Sequence, residues 1–343
     1  MMQSPITREV YRMSKAGSLS QLRHQTEPLG PPGPGEVQVA IKAIGLNFAD
    51  TFAIKGLYSA TPKGSFIPGL EYAGTVIACG TGVTELKEGD AIMGATRFGA
   101  YVTHLNIDAR YVQPLPTGWS YEEGAAYLVQ GLTAFYALFS LGNLQEGHTV
   151  LVHSAAGGVG VLANRFAKQA GAYTIGSVGS TEKLDLLNQE GCGEGIVRRG
   201  DFATKLEAAL GGRKLDLVLE CIGGRIFKES YAAMAPMGRL VAYGAAAFAS
   251  TGNRPNYLKL AWQYLNRPRL DPLLMMRENK AVLAFNLIWL YDHADMLRQT
   301  LDNMQQVDIG KPLVGHTFSF EALPEAIRLF LTGYTMGKVV VVV

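Results

Sequence analysis

The sequence predicts an α/β protein in two parts: a small β-rich, barrel-like half and a doubly wound parallel sheet. Three observations carry this. Residues 1–128 are mostly short strands separated by glycine and proline turns. From about 148 the pattern becomes strand, glycine turn, helix, strand, and it repeats. And 343 residues, 48% hydrophobic and 17% charged, are long and apolar enough for two packed cores.

The elements follow in order. Gly30-Pro31-Pro32-Gly33-Pro34-Gly35 is a rigid turn cluster, and 37–44 alternates as a half-buried strand does. A strand over 72–78 ends at Gly80-Thr81-Gly82, and Gly89-Asp90 opens another at 91–93. Ser120, with Glu123 three residues on, has the form of a capping box ahead of an apolar helix over 125–138. Strands are expected at 149–153, 173–178, 193–197, 215–219 and 239–243. A helix over 159–170 is closed by Gly171, and one over 181–190 by Gly191. A short strand near 283–287 could stand at a sheet edge and pair with a second copy across a two-fold axis. The valines of 338–343 mark a buried strand.

Residues 251–280 break the rhythm. Leu258, Ala261, Trp262 and Leu265 fall at i, i+3, i+4 and i+7, with Arg254, Lys259, Arg267 and Arg269 nearby. This basic amphipathic helix fits two settings: packed over the cleft between the domains, or lying on a membrane surface or a partner.

Composition excludes several classes. A net charge of +2, from 31 Lys and Arg against 29 Asp and Glu, leaves no electrostatic footprint for nucleic acid. Three scattered cysteines, Cys79, Cys192 and Cys221, make neither a disulfide framework nor a thiolate zinc site. No two of the six histidines stand at i+3 or i+4. The first ten residues lack the apolar core of a signal peptide, and no apolar run reaches about 18 residues. A soluble cytoplasmic protein is expected.

The clearest chemistry lies in His153-Ser154-Ala155-Ala156-Gly157-Gly158-Val159-Gly160, which leaves a strand and enters a helix. Against G-x-G-x-x-G, Ala155 takes the first place, Gly157 the second and Gly160 the third. Gly157 lets a pyrophosphate approach the backbone, and Gly160 lets the helix lie close on the strand. The turn from Ala156 through Gly158 and Val159 offers phosphates the free amides and partial positive charge of a helix N-terminus. A plain tight turn is the alternative. An NAD site places Asp or Glu about 20 residues on, at the end of the second strand. Here 175–180 holds no carboxylate. Ser177 and Ser180 leave room for a 2′-phosphate, with Lys183, Arg198 and Arg199 as its cationic partners. The predicted cofactor is NADP(H).

Further stretches fall in order and spacing over nearly the whole chain: Gly45-Leu46-Asn47-Phe48-Ala49-Asp50 with Gly56-Leu57-Tyr58, Pro68-Gly69-Leu70-Glu71-Tyr72-Ala73-Gly74, and Gln130-Gly131-Leu132-Thr133-Ala134. With the glycine turn they resemble the medium-chain dehydrogenases/reductases, and more narrowly the zinc-independent quinone oxidoreductases. Vesicle amine transport protein homologues look nearest, through 142–148, the Trp- and Arg-rich insertion before 281–287, and Met336-Gly337-Lys338-Val339-Val340. The resemblance implies a Rossmann sheet over 129–290, with the insertion 251–280, and a GroES-like catalytic domain from 1–128 and 291–343. It places Asn47, Asp50 and Tyr58 in the nicotinamide pocket as catalytic residues, and Thr133 at the nicotinamide face. It gives cofactor contacts to Gly223, Tyr243, Lys338 and the backbone of Phe285, Asn286 and Leu287. The family's next aromatic after that Asp is often Tyr and here is Phe52, and its usual Asp is replaced at Glu220 or Cys221. Zinc-bearing relatives carry Cys near Leu46-Asn47 and His where Leu70 stands, so no metal is expected.

The implied function is NADPH-dependent, metal-free hydride transfer to quinones or α,β-unsaturated carbonyls, which are already electrophilic. Tyr58 or Asn47 would hydrogen-bond the developing oxyanion. Two other readings stay open: a cofactor-binding vesicle or membrane protein without turnover, and an enoyl-thioester reductase. The resemblance also implies a homodimer.

Overall fold

The computed structural model describes residues 5–343. Residues 1–4, part of the stretch read for a signal peptide, lie outside the described residues. The chain forms two compact units. One holds the chain through Val129 with Ser250–Pro255 and Lys311–Val343, and the other holds Gln130–Ala249 and Asn256–Gly310.

The first unit begins with an antiparallel ribbon, β1 (Ile6–Met13) and β2 (Leu22–Leu29). There follow β3 (Glu36–Gly45), α1 (Phe48–Ile54), β4 (Glu71–Cys79), β5 (Ala91–Ala95), β6 (His104–Asp108), β7 (Val112–Pro114) and α2 (Tyr121–Gly124). Register shifts between β3 and β4 bend the sheet as bulges do. The capping box opens α2: Glu123 N–H donates to Ser120 Oγ at 3.2 Å and Ser120 N–H to Glu123 Oε2 at 2.7 Å.

α3 (Leu128–Phe135) carries the chain into the second unit and ends in a π-helical turn, Tyr136–Leu141. The stretch Tyr121–Leu141 is long and apolar enough to cross a membrane, but 67% of its most apolar window is buried, as in a core helix. Next come β8 (Thr149–His153), α4 (Gly158–Gln169), β9 (Tyr173–Val178), α5 (Leu184–Gln189), β10 (Glu194–Val197), α6 (Phe202–Leu210), β11 (Leu215–Glu220), α7 (Gly224–Ala233) and β12 (Met234–Ala242). After them stand α8 (Tyr257–Leu265), α9 (Pro272–Glu278), β13 (Ala281–Ala284), α10 (Leu287–Leu290) and α11 (Ala294–Gln305). All six strands are parallel, in the order β10-β9-β8-β11-β12-β13. That is the doubly wound order, with its switch point between β8 and β11. Leu151, Ile175, Phe202, Leu206, Val218 and Leu240 form its core. Fully burying such a side chain stabilises the fold by about 1.5–3 kcal/mol.

The chain then returns to the first unit as β14 (Val314–Ser319), α12 (Leu323–Thr332) and β15 (Lys338–Val342). Its sheet runs β14-β15-β3-β4-β5-β7, with β6 also on β3. Because α10 and α11 stay with the second unit, this return falls at 310/311 rather than at the expected 290/291.

The insertion departs most from expectation. α8 and α9 form with good caps, Asn256 and Asp271, yet none of their residues is buried. Leu258 is 87% exposed, Trp262 62% and Leu265 68%. The face expected to be packed is therefore exposed. Periodicity decides which face of a helix is apolar; it does not decide whether anything covers that face.

Candidate functional site

In a parallel sheet all carboxyl ends point one way, so the predicted residues of the second unit gather at one edge. The turn after β8 is held by Ala155 N–H on Ser177 O (3.1 Å) and Gly157 N–H on Ser154 O (2.8 Å). Gly157 is the N-cap of α4. The amides of Gly158, Val159 and Gly160 therefore have no preceding helical carbonyl, and they are the groups a phosphate can take. A Cβ at Gly160 would overlap Ser154 O and stand 2.5 Å from Ala155 Cα, so only glycine lets α4 lie this close. Ala156 is buried and can offer only its backbone.

Ser180, Lys183 and Arg198 stand just past β9 and β10. Arg198 Nη1 donates to Ser177 O at 2.8 Å. Burial, then the Arg198 cation, pull the Lys183 pKa down. Burial also pulls that of Arg198 down. Two cations thus share a half-buried corner with no carboxylate at the end of β9. Arg199 is exposed, and its carbonyl accepts from Lys205 Nζ at 2.7 Å. Ser177 corrects the sequence reading. It is 0% exposed and its hydroxyl lies 2.6 Å from His153 Nδ1, so it does not face a phosphate.

On the other side of the switch point, Glu220 turns its carboxylate onto its own loop. Its Oε1 accepts Ile222 N–H at 2.8 Å and Gly223 N–H at 2.9 Å. Gly223, at φ 85°, opens α7 in a conformation suited to glycine. Phe285 N–H donates to Ala242 O at 3.1 Å, and its ring meets those of Tyr136 and Tyr243. Asn286 caps α10, which Leu287 begins. Thr133 sits buried on α3.

The first unit holds a different cluster. Lys338 opens β15, Glu71 opens β4, and their side chains pair while 2% and 1% exposed. The Asn47 amide joins them: Oδ1 accepts from Lys338 Nζ at 3.1 Å, and Nδ2 donates to Glu71 Oε1 at 3.1 Å and Gly45 O at 3.2 Å. Glu71 Oε2 accepts Val129 N–H at 3.1 Å. Asp50 Oδ2 accepts Asn47 N–H at 2.8 Å and the Tyr101 hydroxyl at 3.0 Å. Burial lifts the Asp50 pKa to about 7 against these hydrogen bonds.

Three expected roles change here. Both Asn47 amide hydrogens are taken within the cluster, leaving none for an oxyanion. Asp50, 0% exposed, orders the start of α1 instead of touching a substrate. Lys338 neutralises Glu71 instead of reaching a cofactor. Tyr58 is only half-buried, its ring against the core of this unit.

Comparison with known proteins decides the family. A model described as alcohol dehydrogenase GroES-like domain matches residues 33–125, and one described as zinc-binding dehydrogenase matches 158–280. The synaptic vesicle membrane protein VAT-1 homolog of Rattus norvegicus is 32% identical over 95% of this chain and 82% of its own length. The chain belongs to the medium-chain dehydrogenases/reductases, in the zinc-independent quinone oxidoreductase-like branch close to VAT-1. A quinone oxidoreductase of Pseudomonas aeruginosa is 37% identical over 77% of this chain and 82% of its own. The structure of Escherichia coli quinone oxidoreductase complexed with NADPH superimposes with a TM-score of 0.84, at 26% identity, over 98% of this chain and 100% of that one.

This reductase-like chain binds NADP(H), and its residues fit that group. The Gly160 cradle would admit the pyrophosphate, and the Lys183–Arg198 corner would supply cations for the extra phosphate. Among the described residues no three His, Cys, Asp or Glu are grouped to hold a metal ion. Sequence reasoning missed the partners of His153, and Glu71 as the centre of the buried cluster. Two signals were available: a carboxylate opening an apolar strand, and a lysine opening a run of valines.

Proposed function

We propose that this protein is an NADPH-dependent reductase of quinones or α,β-unsaturated carbonyls. The observation that carries the reading is the carboxyl edge of the parallel sheet, where a glycine cradle stands with Lys183 and Arg198 just beyond the strand ends. The quinone oxidoreductase relatives support the acceptor class. NADPH, when bound, supplies the hydride. The amides of Gly158, Val159 and Gly160 hold the pyrophosphate, and Lys183 and Arg198 hold the 2′-phosphate. Tyr58, whose side chain is not enclosed, gives its hydroxyl proton to the oxyanion of the reduced acceptor. The test is steady-state NADPH oxidation with a panel of quinones and enones. Tight NADPH binding with no turnover of any acceptor sinks the reading. Tyr58→Phe lowers kcat by about a hundredfold and leaves the NADPH Kd unchanged.

The exposed insertion favours a second role, attachment to a membrane. Residues 251–280 carry six Lys or Arg against two Asp or Glu, net +4 where the whole chain has +2. Tyr257, Trp262 and Tyr264 stand exposed among them. Exposed aromatics, leucines and cations together suit an anionic bilayer surface. Co-sedimentation with phosphatidylserine vesicles, lost on deleting 254–270, is the expected result. Equal binding by both chains removes this role. A cytoplasmic homodimer, pairing through the β13 edge, completes the proposal; a single-chain mass in light scattering overturns the dimer.

A further inference from the structure

His153 ends β8, beside the glycine turn, and is 0% exposed. A fully buried imidazole needs a partner at each nitrogen. Nδ1 lies 2.6 Å from Ser177 Oγ and Nε2 2.9 Å from Ser230 Oγ, and both serines are themselves 0% exposed. Burial, then the Arg198 cation, push the imidazole pKa down to about 3, so the ring stays neutral. The chain of contacts continues outward. Arg198 Nη1 donates to Ser177 O at 2.8 Å and approaches Ser177 Oγ at 3.4 Å. Whichever ring nitrogen carries the proton, Ser177 Oγ keeps a lone pair for the guanidinium. The other end of the guanidinium, Nη2, lies 3.6 Å from where a Cβ of Gly179 would stand, beside Ser180. One end of the group is therefore fixed on β9, and the other faces the loop that receives the 2′-phosphate.

We propose that Ser230, His153 and Ser177 form a positioning relay that holds the Arg198 guanidinium in place, and that this relay sets the preference for NADPH over NADH. The three residues act through Arg198 and touch no cofactor atom. The proposal rests on the NADP(H) assignment.

The test is the Kd of NADPH and of NADH, by fluorescence titration, for the wild type and for variants. Arg198→Ala loses about thirtyfold in NADPH affinity. His153→Leu and Ser177→Ala each lose about tenfold, with NADH binding unchanged. His153→Gln, which keeps a donor and an acceptor, restores most of the preference. His153→Leu combined with Arg198→Ala is no worse than Arg198→Ala alone. NADPH and NADH affinities falling together, or a ratio that never moves, overturns the relay while leaving the cofactor assignment standing. A wild type without any NADPH preference overturns both. Should His153→Leu fail to fold, Ser230→Ala removes a single hydroxyl and is read by the same ratio.

Discussion

Two groups of charges sit below the surface of this chain, one in each unit, and they are built on opposite terms. In the first unit Lys338 and Glu71 neutralise each other, and the Asn47 amide meets both. In the second, Arg198 lies close enough to Lys183 to lower its pKa, while Glu182 attracts Lys183 and Glu220 attracts Arg198. A compensated cluster asks for nothing further, and removing one member exposes a buried charge. Two cations held side by side repel each other and gain from an added anion, so their worth is expected in binding more than in folding. The same residue types thus mean architecture in one place and recognition in the other.

The largest effect that could break this contrast is in the first unit. Lys338→Met strands the Glu71 carboxylate and costs about 3–5 kcal/mol in urea unfolding. Adding Glu71→Gln recovers most of it. An equal loss in both variants would show that the pair is not what matters.

Asp50 sharpens the contrast next, since its Oδ1 has no partner among the described residues. Its folded pKa of about 7 stands above the ordinary 3.8. The folded chain therefore holds this proton more tightly than the unfolded one, and stability present at pH 4 declines as pH rises towards 7. In Asp50→Asn this slope, of the order of 3 kcal/mol between pH 4 and 7, is absent from a series of Tm values against pH.

Arg198→Ala is expected to cost NADPH binding about 2 kcal/mol. Its unfolding midpoint, by contrast, shifts little. A large loss of stability instead would make the second cluster architectural too. The smallest effect belongs to the insertion. Trp262→Ala and Leu258→Ala change stability by less than about 0.5 kcal/mol, because neither side chain leaves a core.

What the sequence made legible was local. The strand at 149–153, the glycine turn, the Ser120–Glu123 box and the αL glycines depend on residues within a turn of one another, and they stand where the pattern places them. The Glu71–Lys338 pair spans 267 positions and exists only because β15 lies beside β3, a pairing no periodicity encodes. Ser177 was found at the right strand end, but strand alternation turned its hydroxyl towards His153. Asn47 was placed in the right segment, and its role shifted because Glu71 and Gly45 claim its amide hydrogens.

The insertion between β12 and β13 has one more consequence. Since α8 and α9 bury no side chain, the sheet gains little from them and loses little without them. Such a segment can change length, charge or hydrophobicity over generations without disturbing the fold that carries it. The parallel sheet leaves no room for a side chain at the Gly160 turn, and at α8–α9 it keeps a place where a lineage can acquire a new surface.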